Sequence, residues 1–447
     1  MDVPRWLYTG LLTLLLPFIF LRLWLRGRQA PAYRLRWRER LGVVPAGGSV
    51  TPEAVASPGM ASSGTLAFAR RPLWIHAVSV GETLAAQPLV QAIRTTWPDL
   101  PLLITTMTPT GSERVQAIWG DAVQHVYAPY DYPFAVRRFL AHWQPRALVI
   151  METELWPNTL AIAKAQGLPV MLANARLSER SARGYGKAGA LARELMTNLT
   201  VVAAQDAATA ERFVALGVPD ARVVETGSLK FDIDIPDRVG EEAARWRVAW
   251  SLYGRPVWVA ASTHAGEDEL VLAAHQRLRQ TCPTALLILV PRHPERFERV
   301  HQLLLASGEA VARRSAHEPV QVGTSVLLGD SMGELLVWLA LARVAFVGGS
   351  LVATGGHNVL EPLALGVPAL TGPHYFNFQA INDELLAADA LEVVADAEAL
   401  ADAMQRLLAD TDLHARRREA GLQVLDRNRG AVARQLQLLA PWLQVAS

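Results

Sequence analysis

Three groups of charged side chains in the first half of the chain have the types that group-transfer chemistry needs. Glu82 follows a Ser/Gly turn where a helical pattern begins, Glu152 and Glu154 follow a buried apolar run, and Lys230 follows a Gly-Ser pair. A positioned carboxylate can accept a proton, and a pair such as Glu152 and Glu154 could hold a cation or stabilise a cationic transition state. Structural roles remain open for each group: Glu82 complementing a helix dipole, Glu154 capping a helix before Pro157, and Lys230 lying in solvent.

The second half contains a glycine-rich loop with polar side chains after it. Residues 346–362 read as a strand, a glycine-rich loop that includes Gly348-Gly349-Ser350 and Gly355-Gly356-His357-Asn358, and then a helix whose free N–H groups and positive dipole end suit a phosphate. Glu361, one turn into that helix, can accept hydrogen bonds from ribose hydroxyls. Arg292 follows another predicted strand, where its planar guanidinium suits a phosphate. A turn with only a structural role would not need serine, histidine, asparagine and glutamate together.

The sequence predicts no metal site. His264, His293 and His357 lie in three separate loops without the spacing of metal ligands, which favours hydrogen-bonding roles. Cys282 is the single cysteine, so the chain can form neither an internal disulfide nor a thiolate metal site, which fits a reducing compartment.

Short apolar runs alternate with amphipathic stretches from residue 73 onward, which predicts parallel sheets covered by helices on both faces. The polar candidates fall where strands end, and ligands collect at those ends. Neither half has G-x-G-x-x-G after its first strand or a Walker loop, which disfavours a dehydrogenase or a phosphoryl-transfer enzyme. The predicted strands are Leu73–Val78, Leu102–Thr106, Val123–Ala128, Ala147–Met151, Val170–Ala173, Val201–Ala204 and Val223–Thr226, and then Val257–Ala261, Ala285–Val290, Ser325–Leu328, Val344–Val347, Pro368–Leu370 and Leu391–Val394. The predicted helices include Thr83–Thr95, Phe134–His142 and Ala207–Leu216.

The length and composition fit two globular domains. The chain has 447 residues, of which 51% are hydrophobic and 19% charged, so extensive disorder is excluded. A net charge of +1 disfavours a nucleic-acid partner. The charged, proline-containing stretch at 231–240 is the best domain boundary. We expect a membrane anchor with a basic segment at 1–42, a flexible linker at 43–71, and Rossmann-like domains at 72–235 and 236–447, the last helical region returning to the first domain.

The amino terminus predicts attachment to a membrane. An apolar run over residues 6–25 precedes a basic segment, and eight arginines against two acidic residues give the first 40 residues a net charge of +6. A signal peptide is disfavoured because the arginines follow the apolar run and no small-residue cleavage site is present. A short transmembrane helix and a helix lying in the membrane interface both fit. Either form puts the arginines, and therefore the catalytic body, on the cytoplasmic side.

Seven ordered motifs resemble the 3-deoxy-D-manno-oct-2-ulosonic acid (Kdo) transferases of lipopolysaccharide synthesis. The motifs are SVGE at 79–82, METELWPN at 151–158, NARLSERS at 174–181, GSLKFD at 227–232, PRHPERF at 291–297, MGE at 332–334 and GGHNVLEP at 355–362. The resemblance covers most of the chain. It implies a GT-B fold, in which two Rossmann-like domains face a cleft, and an enzyme of the inner membrane that needs no metal or other cofactor.

The resemblance also implies substrates and residue roles. The donor would be CMP-Kdo, the acceptor the lipid A precursor, Glu82 the general base, and Glu152 and Lys230 the groups that stabilise the transition state. The residues expected to hold CMP are Pro291, Arg292, Met332, Gly333, Glu334, Asn358, Val359, Leu360 and Glu361. Ser262, Thr263, Gly349 and Ser350 are added as binding candidates because they follow predicted strands.

Two alternatives share parts of this pattern. A GT-B nucleotide-sugar 2-epimerase would have the same glycine loop, but such enzymes are normally soluble and this chain has an arginine-flanked apolar terminus. A membrane-tethered, non-catalytic nucleotide-sugar sensor would not need Glu82, Glu152 and Lys230 together.

Overall fold

The chain folds into two compact units. The computed structural model describes residues 4–28, 30–44 and 71–444. Unit 1 comprises Met1–Asp232 and Gly430–Ser447, and unit 2 comprises Ile233–Arg429. Most of the predicted linker, residues 45–70, lies outside the described residues.

Unit 1 is built on a sheet of seven parallel strands in the order β3-β2-β1-β4-β5-β6-β7. The strands are β1 Leu73–His76, β2 Leu102–Thr106, β3 Gln124–Tyr127, β4 Ala147–Met151, β5 Val170–Ala175, β6 Val201–Ala204 and β7 Val223–Glu225. Its helices are α1 Arg5–Arg26, α2 Val80–Thr96, α3 Pro109–Trp119, α4 Pro133–Trp143, α5 Pro157–Ala165, α6 Glu179–Lys187, α7 Ala190–Thr197 and α8 Ala207–Ala215.

Unit 2 repeats this architecture with seven parallel strands in the order β10-β11-β9-β8-β12-β13-β14. The strands are β8 Val257–Thr263, β9 Leu286–Pro291, β10 Val311–Arg313, β11 Val326–Leu328, β12 Val344–Val347, β13 Ala369–Thr371 and β14 Leu391–Val393. The helices are α9 Asp237–Ala249, α10 Asp268–Thr281, α11 Phe297–Ala306, α12 Leu335–Leu341, α13 Leu360–Ala364, α14 Gln379–Ala387, α15 Ala397–Ala409 and α16 Thr411–Asn428. One further helix, α17 Ala431–Leu443, lies in unit 1.

Each sheet has a hydrophobic core on both faces. Alternate residues of β1 point to opposite sides: Leu73 and Ile75 join one buried cluster, and Trp74 joins the other. A strand buried on both faces has to be apolar along its length, which is why these strands read as continuous apolar runs. The alternating pattern therefore gives the predicted fold class, two α/β sheets of parallel strands.

Each sheet has a switch point, a reversal at which the chain passes from one half of the sheet to the other, and the candidate residues follow the strands at that point. In unit 1 the reversal lies between β1 and β4, the strands before Glu82 and Glu152. In unit 2 it lies between β8, which contains Ser262, and β12, which precedes Gly349. A crevice opens where the order of a parallel sheet reverses, and ligands bind there.

The last helical region is divided by Gly430, whose φ of 87° places it in the left-handed region that favours glycine. The carboxylate of Asp232 accepts the N–H groups of Gly430 and Val432 at 2.7 and 2.6 Å, so it caps the start of α17. Leu439 of α17 is buried in a core cluster of unit 1, and the helix packs on α2.

Helix α1 has one face that contacts the rest of unit 1 and an opposite apolar face that is exposed. Tyr8 donates a hydrogen bond to Asp131 at 3.0 Å, and Thr9 bonds Asn158 at 3.1 Å. The exposed apolar side chains are Trp6, Leu7, Leu11, Leu14, Leu15, Phe18, Leu21, Trp24 and Leu25. The span Arg5–Arg28 is long and apolar enough to cross a membrane, with a mean hydropathy of 1.7.

Candidate active site

Glu82 is built into the start of α2 by reciprocal hydrogen bonds with Ser79. The Glu82 N–H donates to the Ser79 hydroxyl at 3.3 Å, and the Ser79 N–H donates to Glu82 Oε2 at 3.0 Å. This capping box fixes the carboxylate at the carboxyl end of β1, where it is 7% exposed. The structural role considered for Glu82 is thus present, and it holds the side chain in one place.

The surroundings of Glu82 disfavour its charged form. Burial, and next the nearby charge of Glu154, raise the pKa of the Glu82 carboxyl to about 8, and the charge of Glu152 adds to the effect. The structure therefore brings the three carboxylates predicted in the first half within electrostatic reach of one another. A carboxyl with a pKa close to the working pH is suited to accept a proton during catalysis.

Glu152 has a backbone conformation that is uncommon for a residue with a side chain. Its φ is 56°, and its N–H donates to the carbonyl of Ala173 at 2.9 Å, which holds the turn after β4. A non-glycine residue in the left-handed region costs free energy, and such residues concentrate at functional sites. The fold keeps Glu152 in this conformation beside Glu82, although a glycine would adopt it more easily.

Asp131, rather than Glu154, caps α5. The N–H groups of Asn158 and Thr159 donate to the Asp131 carboxylate at 2.9 and 2.7 Å. Glu154 Oε2 instead accepts the indole N–H of Trp156 at 3.2 Å. The capping role considered for Glu154 is therefore wrong. The sequence carries no signal for the true cap because Asp131 comes from a loop 27 residues earlier in the chain.

Lys230 lies in a short 3-10 turn, Leu229–Phe231, that packs against α2. Asn174 holds this turn, because its side-chain oxygen accepts the N–H of Leu229 at 3.0 Å. Asn174 is fully buried and has a φ of 51°. Asparagine tolerates that conformation better than most residues.

In unit 2 the end of β8 is tied to the loop that carries Arg292. Ser262 has a φ of 57°, and the carbonyl of Thr263 accepts the N–H of Arg292 at 3.0 Å and a guanidinium N–H of Arg296 at 2.6 Å. Pro291 ends β9 and is buried. The adjacent strand ends thus hold Ser262, Thr263 and Arg292 together.

A buried carboxylate occupies the first part of the glycine-rich loop. Glu267 is fully buried, and its oxygens accept the N–H groups of Gly349, Ser350 and Leu351 at 2.6, 2.9 and 2.8 Å, as well as that of His264 at 2.8 Å. These three loop N–H groups are therefore already bound within the protein, and Glu267 shapes the loop. The free N–H groups that the sequence predicts belong to the following helix, α13, which begins at Leu360.

Replacing Glu267 by glutamine should destabilise unit 2. The amide has one oxygen in place of two, so at least one buried N–H loses its acceptor, and we expect the free energy of unfolding to fall by about 2–4 kcal/mol. Thermal or denaturant unfolding measures the change. Glu269→Gln is the matched control, because Glu269 is exposed in the first turn of the same helix, α10. Equal stability of the two variants would contradict this role.

The later part of the loop brings several candidates together. Asn358 donates to Glu361 Oε1 at 3.3 Å, and burial raises the pKa of the Glu361 carboxyl, against the opposing effect of the Arg292 charge. Arg292 also contributes to the lowered pKa of His357, about 4, although burial is the larger cause. Val359 and Leu360 are buried. Arg292, His357, Asn358 and Glu361 therefore lie in one electrostatic neighbourhood.

The three histidines that the sequence spreads over separate loops meet in space. The Nε2 atoms of His264 and His357 are 2.8 Å apart, a hydrogen bond in which one ring donates and the other accepts. The ring of His293 packs edge-on against His264 with 5.2 Å between centroids. Within the described residues, no group of three or more His, Cys, Asp or Glu side chains is arranged to hold a metal ion.

The candidates at 332–334 are held by an ion pair. Both oxygens of Glu334 are engaged by the Arg314 guanidinium, at 2.8 and 3.1 Å, and Ser331 also donates to this carboxylate. Gly333 has a φ of 81°, and Met332 is 65% exposed. The carboxylate of Glu334 is thus committed within the protein, which leaves the backbone of the Met332–Gly333 turn to contact a ligand.

Comparison with known proteins identifies the class. Residues 260–424 match the family described as glycosyl transferases group 1. A solved glycosyltransferase of Rickettsia africae superposes with a TM-score of 0.50 at 12% identity, covering 84% of this chain and 100% of that one, which shows a shared fold. With two parallel sheets and polar residues at both reversal points, the protein is a GT-B glycosyltransferase.

The family follows from closer relatives. Residues 35–233 match the family described as 3-deoxy-D-manno-octulosonic-acid transferase (kdotransferase). The 3-deoxy-D-manno-octulosonic acid transferase of Haemophilus influenzae is 42% identical over 441 residues, which are 98% of this chain and 99% of the relative. That of Bordetella pertussis is 40% identical over 453 residues, again 98% and 99%. The chain belongs to the Kdo transferase family, which decides against the 2-epimerase and the sensor.

Proposed function

We propose that this enzyme transfers Kdo from CMP-Kdo to the lipid A precursor, lipid IVA, in lipopolysaccharide core biosynthesis, with Glu82 as the general base. The observation that carries the proposal is the buried Glu82 carboxyl, with its pKa raised to about 8, beside Glu152 at the reversal point of the first sheet. The family membership supports the sugar, and the resemblance in the seven motifs supports the donor and the acceptor.

The reaction is a substitution at the anomeric carbon of Kdo. The acceptor hydroxyl gives its proton to the Glu82 carboxylate as its oxygen bonds the anomeric carbon, and the bond from that carbon to the CMP phosphate oxygen breaks. The bonding electrons leave with CMP. Positive charge develops on the sugar, as in glycoside hydrolysis, and a carboxylate such as Glu152 stabilises it. Lys230 is proposed to stabilise the transition state as well.

The donor is proposed to be held in unit 2, without a metal. CMP leaves as a phosphate that is already anionic at neutral pH, so no general acid is needed to expel it. In this proposal Arg292 supplies the positive charge for that phosphate, and Glu361 accepts hydrogen bonds from the ribose hydroxyls. The backbone around Met332–Gly333 and the side chain of Asn358 complete the proposed CMP contacts.

Incubating the purified protein with CMP-Kdo and the lipid A precursor tests the function. The mass of the lipid product should increase by one or more Kdo units, and the same rate is expected in the presence of EDTA. An unchanged lipid would overturn the proposed function. A rate lost in EDTA and restored by a divalent cation would overturn metal independence alone.

We further propose that α1 lies in the interface of the inner membrane and holds the enzyme there, on the cytoplasmic side. Tyr132 donates to the carbonyl of Leu12 at 2.7 Å, which adds to the hydrogen bonds that tie Tyr8 and Thr9 to unit 1. A helix attached along one side can still immerse its opposite apolar face in lipid, and the arginines that follow it favour anionic headgroups.

Adding two charges to the exposed face of α1 should release the protein from membranes. Leu14 and Phe18 are 74% and 66% exposed, so Leu14→Glu with Phe18→Glu leaves the fold intact while opposing insertion into lipid. Flotation with vesicles of anionic phospholipid measures binding. Leu305→Glu is the matched control, because Leu305 is an exposed leucine of unit 2. A double variant that floats with the vesicles as the parent protein does would contradict the proposed position of α1 in the membrane interface.

A further inference from the structure

Two of the predicted carboxylates lie on one short loop of unit 1. Glu152 and Glu154 belong to the loop that connects β4, which ends at Met151, with α5, which begins at Pro157. The first end of this loop is held by the neighbouring strand β5, because the N–H of Glu152 donates to the carbonyl of Ala173 at 2.9 Å. Both carboxylates keep one position only if the second end of the loop is held as well.

The second end of the loop is held by the buried carboxylate of Asp131. Its Oδ2 accepts the N–H of Asn158 at 2.9 Å, and its Oδ1 accepts both the N–H and the hydroxyl of Thr159 at 2.7 Å. The side-chain amide of Asn158 donates in turn to the carbonyl of Asp131 at 2.7 Å. These bonds fix the first turn of α5, and therefore the end of the loop, relative to Asp131.

Helix α1 completes the hydrogen bonds of this group. The hydroxyl of Tyr8 donates to Asp131 Oδ2 at 3.0 Å, and the side-chain nitrogen of Asn158 donates to the hydroxyl of Thr9 at 3.0 Å. Burial raises the pKa of the Asp131 carboxyl to about 6, and the hydrogen bonds from Thr159, Asn158 and Tyr8 oppose that effect. A buried carboxylate depends on its donors, so the loss of one of them weakens the whole group.

Two properties of the loop make it sensitive to this group. Glu152 has a φ of 56°, a conformation that costs free energy, so the loop relaxes if one of its ends is released. The charge of Glu154 is one of the causes that raise the pKa of Glu82, so this pKa reports how closely the loop approaches α2. A released loop would leave Glu154 farther from Glu82 on average, and the pKa of Glu82 would fall.

We propose that Tyr8 is a positioning residue for the reaction, which acts through Asp131 to hold the loop of Glu152 and Glu154 in place beside Glu82. The assignment rests on the proposed function, because it takes these carboxylates to be the groups that act on the acceptor and on the sugar. It gives α1 a second role besides membrane attachment. The helix with the apolar exposed face also fixes the geometry of the active site.

Tyr8→Phe removes the hydroxyl and keeps the apolar face of α1. With acceptor dispersed in detergent, so that membrane binding does not limit the rate, we expect kcat to fall about 3- to 10-fold, the scale of one hydrogen bond. The midpoint of the pH profile of kcat/KM should move to lower pH, and the KM of CMP-Kdo should stay unchanged. Thr13→Val is the matched control, because it removes an exposed hydroxyl of the same helix that bonds the carbonyl of Thr9 within α1.

A double-mutant cycle tests whether Tyr8 acts through Asp131. Tyr8→Phe should have little further effect on kcat when it is added to Asp131→Asn, and additive losses would overturn the inference. Parental kcat and midpoint in Tyr8→Phe would also overturn it. A lower kcat with the parental midpoint would show lost stability without a moved loop, and this too contradicts the inference. If Asp131→Asn does not fold, the midpoint of Tyr8→Phe decides alone.

A titration that needs no turnover separates this inference from the proposed function. If the parent protein makes no product, the function is wrong, and the Glu82 carboxyl is then followed by 13C NMR in protein labelled at its glutamate carboxyls. Its resonance is the one that is lost in Glu82→Gln. A lower midpoint in Tyr8→Phe than in the parent protein supports the positioning role, and equal midpoints overturn it.

Discussion

Glu82→Gln should lower turnover by roughly 10²-fold or more, at the scale of a lost general base, while the affinity for CMP stays unchanged. Glutamine has no carboxylate to accept the acceptor's proton, yet it can satisfy the same capping box with Ser79. Steady-state kinetics with CMP-Kdo and the lipid A precursor measure the turnover, and calorimetry with CMP measures the affinity.

The matched control for this substitution is Glu113→Gln. Glu113 is an exposed carboxylate of α3 in the same unit, and its replacement should leave the rate unaltered. If Glu82→Gln works at the parental rate with an intact fold, another group must take the proton. A parallel loss of CMP affinity would instead point to a structural defect.

Arg292→Ala should weaken CMP binding by about 10- to 100-fold, because a charge-assisted hydrogen bond to a phosphate is worth roughly 1.5–3 kcal/mol. The backbone N–H that Arg292 donates to Thr263 is retained, so the loop should keep its shape. Arg292→Lys keeps the charge but loses the planar fork, and an intermediate affinity is expected. Calorimetry with CMP measures the affinity of the parent protein and of both variants.

Arg299→Ala provides the comparison for the loss of charge alone. Arg299 is an exposed arginine of α11 in the same unit, so its removal lowers the net charge equally without touching the proposed phosphate site. Its affinity for CMP should equal that of the parent. Equal affinities of Arg292→Ala and Arg299→Ala would show that Arg292 does not hold the phosphate.

The sheets could be predicted because their strands are buried on both faces. Ala147–Met151 and Val344–Val347 agree with the structure in both bounds, since each is a continuous apolar run. The strand that the sequence does not predict is β10, Val311–Arg313, because it has no long apolar run. It is a three-residue strand at the sheet edge, and its last residue is an arginine paired with Asp330.

The contacts between distant loops could not be predicted from the sequence. Glu267 accepts N–H groups of the glycine loop from 82 residues away in the chain, and no local pattern in the sequence indicates this contact. His264 and His357 meet across 93 residues for the same reason. Strand ends can be placed from local patterns, but which side chain fills which loop depends on how the strands are ordered in the sheet.

The strand order of unit 1 brings two of its predicted carboxylates close together. Glu82 and Glu152 follow β1 and β4, which the structure makes neighbours, so their proximity is a consequence of strand order. The raised pKa of Glu82 cannot be predicted from the sequence, because it depends on burial and on the charges of Glu154 and Glu152 that the fold brings near it.

The pH dependence of kcat/KM tests most directly whether Glu82 is the base. Only its carboxylate form accepts a proton, so with a pKa of about 8 the rate constant should rise about tenfold per pH unit below pH 8 and level off above it. Glu154→Gln removes a charge that raises this pKa and should move the midpoint to lower pH. Glu82→Gln should lose the rising limb, and a Glu82→Gln profile that keeps the parental limb would contradict the account.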